Sequence, residues 1–299
     1  MTLFKGLEEI AQRDFPLGKM TTFGVGGPAE YFVRPRSEDE LRDVLERCRK
    51  AGLEIRVVGR GSNILVRDEG VKGAVIQLDE ESFGRVAFED DLCRAGAAAP
   101  LPTVVGAAAR QGLAGIECLV GIPGSVGGAV RMNAGGAFGD IGQTVERVKV
   151  MSGDGQTFYR EREDLAFGYR RSNIAARFVL EVDLRLMPDS IRAIKDRLKK
   201  IWIIRKNTQP MSAASAGCIF KNPRQVSAGL LIDQAGLKGT AVGGAVVSRK
   251  HANYIVVKDP EQATAADVEA LIDLVRKTVN ERSQVSLELE IEIWPCPRD

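Results

Sequence analysis

The sequence of 299 residues contains a single histidine, His251. That scarcity excludes the His-rich ligand sets of zinc sites and leaves a Ser-His-Asp hydrolase without support. Five cysteines, Cys48, Cys93, Cys118, Cys218 and Cys296, stand far apart and form no CxxC pair. An odd, scattered set argues against a disulfide framework and fits a reducing compartment, the cytoplasm. No apolar run approaches the roughly 20 residues that span a bilayer. The opening MTLFKGLEEIAQRDF carries acidic residues and lacks the apolar core of a secretory signal. Lys and Arg number 42 against 40 Asp and Glu, a formal charge of +2. Neither a nucleic acid nor a membrane surface is implied as a partner. Internal repeats and low-complexity tracts are also missing.

What the chain does have is glycine in clusters. Residues 121–136 read GIPGSVGGAVRMNAGG, with six glycines in sixteen positions. Glycine at this density weakens helices and strands. It is tolerated where backbone turns sharply or comes close to a ligand, and bare N–H groups in such a loop suit phosphate oxygens. Two further clusters share this character, Thr22–Ala29 (TTFGVGGPA from Thr21) and Gly59–Leu65 (GRGSNIL). The second lacks the spacing of a Rossmann fingerprint, and by itself an ordinary βα turn explains it equally well.

Around these clusters the first half alternates strand and helix signals. Ser37 to Glu40 resembles a capping box, followed by Leu41, Val44, Leu45 and Cys48 at helical spacing. Residues 54–59 and 74–78 read as short buried strands, and 100–111 as a small-residue helix opened by proline. From Val145 to Met187 short strands take over, with a hairpin at Gly153-Asp154-Gly155. A basic helix runs from Ile191 to about Lys206, and a second clear helix from Thr264 to about Glu281. In Val285–Ile293 (VSLELEIEI) apolar and polar residues alternate, which predicts a strand with Glu288, Glu290 and Glu292 on one face. That face is either solvated or presents one carboxylate to a cavity, where burial and like charge raise its pKa.

Three other stretches carry chemistry-bearing residues. Phe167–Ser172 (FGYRRS) holds paired arginines that either solvate a loop or bind a carboxylate in fork geometry. Ala216–Pro223 (AGCIFKNP) places Cys218 after a glycine in a turn-like setting, either an inert residue or an accessible thiol able to donate a proton. His251 sits in the basic stretch Ser248–Asn253, either at the surface or meeting a phosphate together with Arg249 and Lys250.

Taken in order, TTFGVGGPAEYFV, VVGRGSNILV, the 113–136 glycine block, FGYRRSNI, AGCIFKNP and the closing LELE resemble the UDP-N-acetylenolpyruvoylglucosamine reductase family from about Thr21 to Ile293. The resemblance implies an α+β protein. A two-subdomain FAD-binding fold of the vanillyl-alcohol-oxidase/PCMH type occupies residues 1–190, a smaller α+β substrate domain 191–283, and a C-terminal strand in 284–299 returns toward the active site. The implied activity is NADPH-dependent, FAD-mediated reduction of UDP-N-acetylglucosamine enolpyruvate to UDP-N-acetylmuramate, in peptidoglycan precursor synthesis. A small-molecule substrate and a monomer or weak oligomer are expected.

By the same resemblance, Arg170 and Glu290 polarise the substrate carboxylate and stabilise the enolate, and Cys218 supplies the proton. FAD contacts fall to Gly59, Gly61, Ser62, Asn63 and Ile64, and to Gly121, Ile122, Pro123, Gly124, Ser125, Gly127, Gly128, Asn133 and Ala134. Tyr169, Lys221 and Asn222 are implied substrate contacts. The chain departs from the family pattern in three places. Cys218 stands where a serine is common; a thiol is the better acid, and cysteine occurs there in some members. Only about 30 residues separate FGYRRS from Arg205-Lys206-Asn207-Thr208-Gln209-Pro210, so the chain looks like the shorter form without the inserted tyrosine loop. Glu292 stands where some relatives have arginine. Two alternatives remain, an FAD-dependent sugar or alcohol oxidase of the same fold and a non-catalytic nucleotide-binding relative.

Overall fold

The computed structural model describes residues 3–223 and 226–295; Cys296 lies outside them. The chain folds into two compact units of mixed helix and strand. Unit 1 takes the chain up to Gln12, then Tyr31–Gly59 and Gly73–Arg205; unit 2 takes Arg13–Glu30, Arg60–Lys72 and the chain from Lys206 onward. The sequence reading divides the chain at 190/191 and again at 283/284, and the contacts divide it differently. Most of helix Ile191–Thr208 belongs to unit 1, where Ile194 and Ile201 are buried and Arg197 Nε donates to Glu117 Oε1 at 2.8 Å. The segment holding Gly61–Ile64 belongs to unit 2, through pairings that no local pattern announces.

Unit 1 is built on an antiparallel sheet with strands in the order Thr157–Glu161, Val145–Met151, Phe178–Arg185, Leu92–Gly96 and Val86–Glu89. The hairpin expected at 153–155 joins the first two, closed by Ser152 N–H on the Gln156 carbonyl at 2.9 Å. Ile55–Val57 pairs in parallel with residues 74–76. Helix Glu38–Lys50 starts at Ser37, whose Oγ accepts from Glu40 N–H at 3.1 Å, and buries Leu41, Val44, Leu45 and Cys48. Each such aliphatic side chain contributes roughly 1.5–3 kcal/mol by leaving water. Helix Leu101–Gln111 stops at Gly112, and the short helix Val126–Arg131 buries Val126, Ala129 and Val130 in the same core.

Unit 2 has its own core, which includes Phe23, Leu65, Phe220, Leu271 and Ile291. Its long helix Ala265–Ser283 opens with a capping box: Thr264 Oγ1 accepts from Asp267 N–H, and the Asp267 carboxylate accepts from Thr264 N–H, both at 3.1 Å. The Asp68 carboxylate accepts from the next two helix amides, Ala265 and Ala266, at 2.9 and 3.0 Å. A negative charge at a helix N-terminus is favourable. Arg67 meets Glu269 one turn further on, Nη2 to Oε2 at 2.9 Å. These contacts hold the 60–72 segment in unit 2. A three-stranded antiparallel sheet of Ala241–Val242, Ala245–Val247 and Ile255–Val257 completes the unit.

The strand predicted over 285–293 is shorter than its pattern. Only Glu292–Trp294 forms a ladder, parallel to Ile64–Val66, preceded by a single bridge between Phe220 and Leu289. Upstream, the Leu287 carbonyl accepts from Arg276 Nε at 3.1 Å and so serves a side chain in place of a neighbouring strand. The alternation survives as burial: Leu287 and Ile291 face the core, Glu288 and Glu292 are exposed, and Glu290 is half-buried. Among the described residues, no helix is long and apolar enough to cross a membrane.

Candidate active site

In unit 1 the glycine loop 121–128 is sewn to the start of helix Leu101–Gln111. Leu101 N–H donates to the Gly124 carbonyl at 3.0 Å, Val126 N–H to Ala99 at 3.0 Å, and Gly127 N–H to Ala97 at 2.9 Å. Gly121 and Gly124 turn the chain at φ of +78° and +128°, where a β-carbon is disfavoured. Gly127 is glycine for packing, since a β-carbon there would lie 2.9 Å from that of Ala97. At Gly59 a β-carbon would meet Ser125 Oγ at 2.5 Å. Ser125 is buried, Ile122 and Ala134 pack partly against the core, and Pro123 is exposed.

Gly128 and Gly136 differ from these. Both are exposed, and a β-carbon would find its nearest neighbours at ordinary distances, Ser125 Oγ at 3.5 Å and Arg205 Nη2 at 3.8 Å. Neither packing nor backbone angle requires glycine at these two positions. Their bareness leaves open backbone beside the loop, which fits the close approach of a large phosphorylated group such as FAD.

Arg170 rides on a small hairpin. Phe167–Gly168 pairs with Arg171–Ser172, and the Tyr169-Arg170 turn puts Arg170 at φ +55°. Three bonds tie this hairpin to residues 131–135. Arg170 Nη1 donates to the Gly135 carbonyl at 3.0 Å, Asn133 Nδ2 to the Gly168 carbonyl at 3.0 Å, and Ser172 Oγ to the Arg131 carbonyl at 2.9 Å. Tyr169 is exposed, with the Arg170 guanidinium 5.4 Å from its ring centre. The structure therefore brings the NAGG part of the glycine block and the arginine hairpin together.

Unit 2 gathers the other predicted residues. Residues 219–221 run against 288–290, with Glu290 N–H donating to the Ile219 carbonyl and Lys221 N–H to the Glu288 carbonyl, each at 2.8 Å. On the far side, Asn63 Nδ2 donates to the Glu290 carbonyl at 3.2 Å and Glu292 N–H to the Asn63 carbonyl at 2.9 Å. Cys218, Glu290 and the Gly61–Ile64 segment thus share one neighbourhood. Ile64 is buried at the head of its strand, and Gly61 accepts from Thr22 N–H at 3.1 Å, while Ser62 is half-buried. Lys221 Nζ lies 3.5 Å from the exposed carboxylate of Glu288, and Asn222 Oδ1 accepts from Ala228 N–H at 3.0 Å, at the start of helix Ala228–Gln234.

Cys218 is half-buried, whereas Cys48, Cys93 and Cys118 are buried and their thiols are pushed up to about 11, 12 and 11 by burial. Those three are packing residues. His251 is half-buried, its Nδ1 accepts from Asn253 N–H at 3.3 Å, and its ring meets Tyr254 edge-on at 4.9 Å. Burial, assisted by the charge of Lys238, lowers its pKa and keeps the imidazole neutral. Among the described residues no cluster of His, Cys, Asp or Glu is suited to a metal ion.

One residue of this neighbourhood escapes sequence reasoning. Asn253 is buried, and its Oδ1 accepts from Phe220 N–H at 3.0 Å while its Nδ2 donates to the Phe220 carbonyl at 2.7 Å. Its own carbonyl accepts from Ile219 N–H at 2.9 Å. It fixes the backbone immediately after Cys218. Nothing in the HAN sequence signals this, because the partner is 33 residues away.

Residues 209–294 match the family model described as UDP-N-acetylenolpyruvoylglucosamine reductase, C-terminal domain, and residues 29–159 match that of an FAD binding domain. The UDP-N-acetylenolpyruvoylglucosamine reductase of Moorella thermoacetica is 44% identical over 97% of this chain and 95% of its own length. That of Desulfosudis oleivorans is 43% identical over 94% and 93%. The crystal structure of UDP-N-acetylenolpyruvylglucosamine reductase (MurB) from Thermus caldophilus superposes with a TM-score of 0.83 at 42% identity, covering 95% of this chain and 99% of that one. The fold class is the expected one, α+β with an FAD-binding portion and a reductase-type C-terminal portion. The chain belongs to the UDP-N-acetylenolpyruvoylglucosamine reductase family.

Proposed function

We propose that this chain reduces the enolpyruvyl ether of UDP-N-acetylglucosamine to the lactyl ether of UDP-N-acetylmuramate, with NADPH as reductant and FAD as cofactor, in peptidoglycan precursor synthesis. The observation that carries the reading is the pairing of 219–221 with 288–290, which sets the AGCIFKNP and LELE segments side by side. The net reaction adds one hydride and one proton across a carbon–carbon double bond, consuming NADPH and a proton and releasing NADP⁺. When bound, FAD supplies the two-electron carrier between NADPH and the substrate.

The exposed backbone at Gly128 and Gly136, with the 121–127 loop that supports it, would hold the cofactor phosphates; Gly61, Ser62 and Asn63 are likewise proposed FAD contacts. Arg170 is permanently charged and is oriented by its bond to Gly135, so it suits the negative charge that grows on the enolate and its carboxylate. Glu290, half-buried and bonded through its N–H to the Ile219 carbonyl next to Cys218, would stabilise the enolate by donating a hydrogen bond when protonated. Cys218 would give the proton to the α-carbon; a thiol is a stronger acid than the alcohol of serine. Tyr169, Lys221 and Asn222 are proposed substrate contacts. The reducing compartment implied by the free buried thiols is the cytoplasm, and the protein would act as a monomer or weak oligomer, which sizing of the FAD-loaded protein checks.

The test is an anaerobic stopped-flow record of the visible flavin band. NADPH should bleach it, and the enolpyruvyl nucleotide should restore it. Cys218→Ala should leave bleaching intact and slow recolouring by on the order of a hundredfold or more. Bleaching without recolouring in the parent protein would mean a different electron acceptor. A protein unable to take up FAD would overturn the reading of the glycine loop.

A further inference from the structure

Asn133 belongs to the glycine block, and the family resemblance assigns it to FAD. The residue is only 4% exposed, and both polar ends of its side chain are engaged inside unit 1. Nδ2 donates to the Gly168 carbonyl at 3.0 Å, and Oδ1 accepts from Gly142 N–H at 3.0 Å. The opposite amide orientation would set donor against donor and acceptor against acceptor, so these partners fix it. The backbone at Asn133 is left-handed, φ +45°, which asparagine tolerates better than most residues. Gly142 allows the approach, since a β-carbon there would lie 2.8 Å from Asn133 Oδ1.

We propose that Asn133 is a positioning residue for Arg170 and that its side chain does not hold the cofactor; this rests on the role given to Arg170 above. Gly168 lies two residues before Arg170. The hairpin is therefore held on three sides: through Asn133 at Gly168, through Ser172 at Arg131, and through the Arg170 guanidinium at Gly135. Arg170 itself sits at φ +55°, a conformation that residues with a β-carbon disfavour and that persists only where surroundings impose it. The Asn133 amide is the tie that reaches the backbone closest before that turn. Without it the turn can relax and the guanidinium loses its fixed direction, while the cofactor loop 121–128 keeps its own bonds to residues 97–101.

Two variants of the FAD-loaded protein test this. Asn133→Asp keeps the shape and the acceptor but removes the donor to Gly168. Asn133→Gly removes the side chain and suits the left-handed backbone, so it covers the case in which the aspartate variant fails to fold. FAD content and bleaching by NADPH should stay within about threefold of the parent, and recolouring by the enolpyruvyl nucleotide should slow on the order of tenfold. In an Arg170→Ala background the same change should add no further loss to recolouring, because Asn133 acts through Arg170. A merely structural residue would give losses that add. Loss of FAD affinity with normal recolouring per bound flavin would overturn the proposal and return Asn133 to the cofactor. If the parent protein itself is not recoloured, the functional reading fails, and hydrogen exchange across 167–172 decides the inference alone. Faster exchange in Asn133→Gly supports it, and unchanged exchange overturns it.

Discussion

The glycines at 26–27 and those at 128 and 136 look alike in sequence and serve opposite ends. A β-carbon at Gly26 would lie 1.9 Å from the Val66 carbonyl oxygen, and one at Gly27 would lie 2.3 Å from that of Asp68. These are overlaps with fixed backbone inside unit 2, so the TTFGVGGPA cluster is glycine-rich for packing. At Gly128 and Gly136 the nearest atoms are 3.5 and 3.8 Å away, and the residues face solvent. Here the protein's own structure has no need of glycine. Composition alone marks all of these as one class; the space a methyl group would meet separates scaffold glycines from the open backbone proposed above to meet the cofactor.

That separation is easy to break. Gly26→Ala should cost about 4 kcal/mol or more and leave little folded protein, seen as a collapsed thermal midpoint; a stable, active Gly26→Ala would dissolve the distinction. Asn253 belongs with the scaffold group, and Asn253→Ala removes both partners of the Phe220 peptide. A loss of about 2–4 kcal/mol in chemical denaturation is expected, with FAD stoichiometry unchanged. Gly128→Ala sharpens the comparison because its two effects have opposite signs. Alanine is the better helix former by about 1 kcal/mol, so the FAD-free protein should hold or gain stability. FAD affinity, titrated by flavin fluorescence, should fall on the order of tenfold as the methyl group intrudes.

The smallest effect concerns His251, again on the scaffold side. Its pKa is lowered by burial and then by Lys238, so it stays neutral in the folded protein when the unfolded chain already takes up a proton. Stability is therefore lost as pH falls through the ordinary histidine range near 6.5. His251→Gln should flatten the slope of stability between about pH 7 and 5.5. An unchanged slope would show that the imidazole titrates normally.

Much of the local structure is legible in the chain. Ser37 and Thr264 stand at the starts of their helices as expected, and the 153–155 hairpin and the strands around it follow their apolar patterns. Period-2 alternation also singles out the glutamates of the last segment, and Glu290 is the partly buried one. The alternation overstates the strand because it reports burial, and burial at 285–291 is met without a ladder. What escapes local reading depends on partners far along the chain. The Asn253 and Asn133 amides are examples, each bonded to a peptide 33 or 35 residues away. The membership of 60–72 in unit 2 is another, resting on Asp68 at the helix start and on the pairing with Glu292–Trp294.

That last pairing also sets an order of events at the ribosome. Asn63 and the Glu290 carbonyl it holds are 227 residues apart. At the usual pace of about 5–20 residues per second, the early segment waits on the order of tens of seconds for its partner. Unit 1 closes on segments that end at Arg205 and is complete sooner. Through that interval Leu65 and Phe23, both destined for the second core, have emerged without the helix and strand that cover them. The nascent protein therefore passes through a stage in which one unit is finished and two apolar stretches of the other are exposed, which is where a chaperone would be needed most.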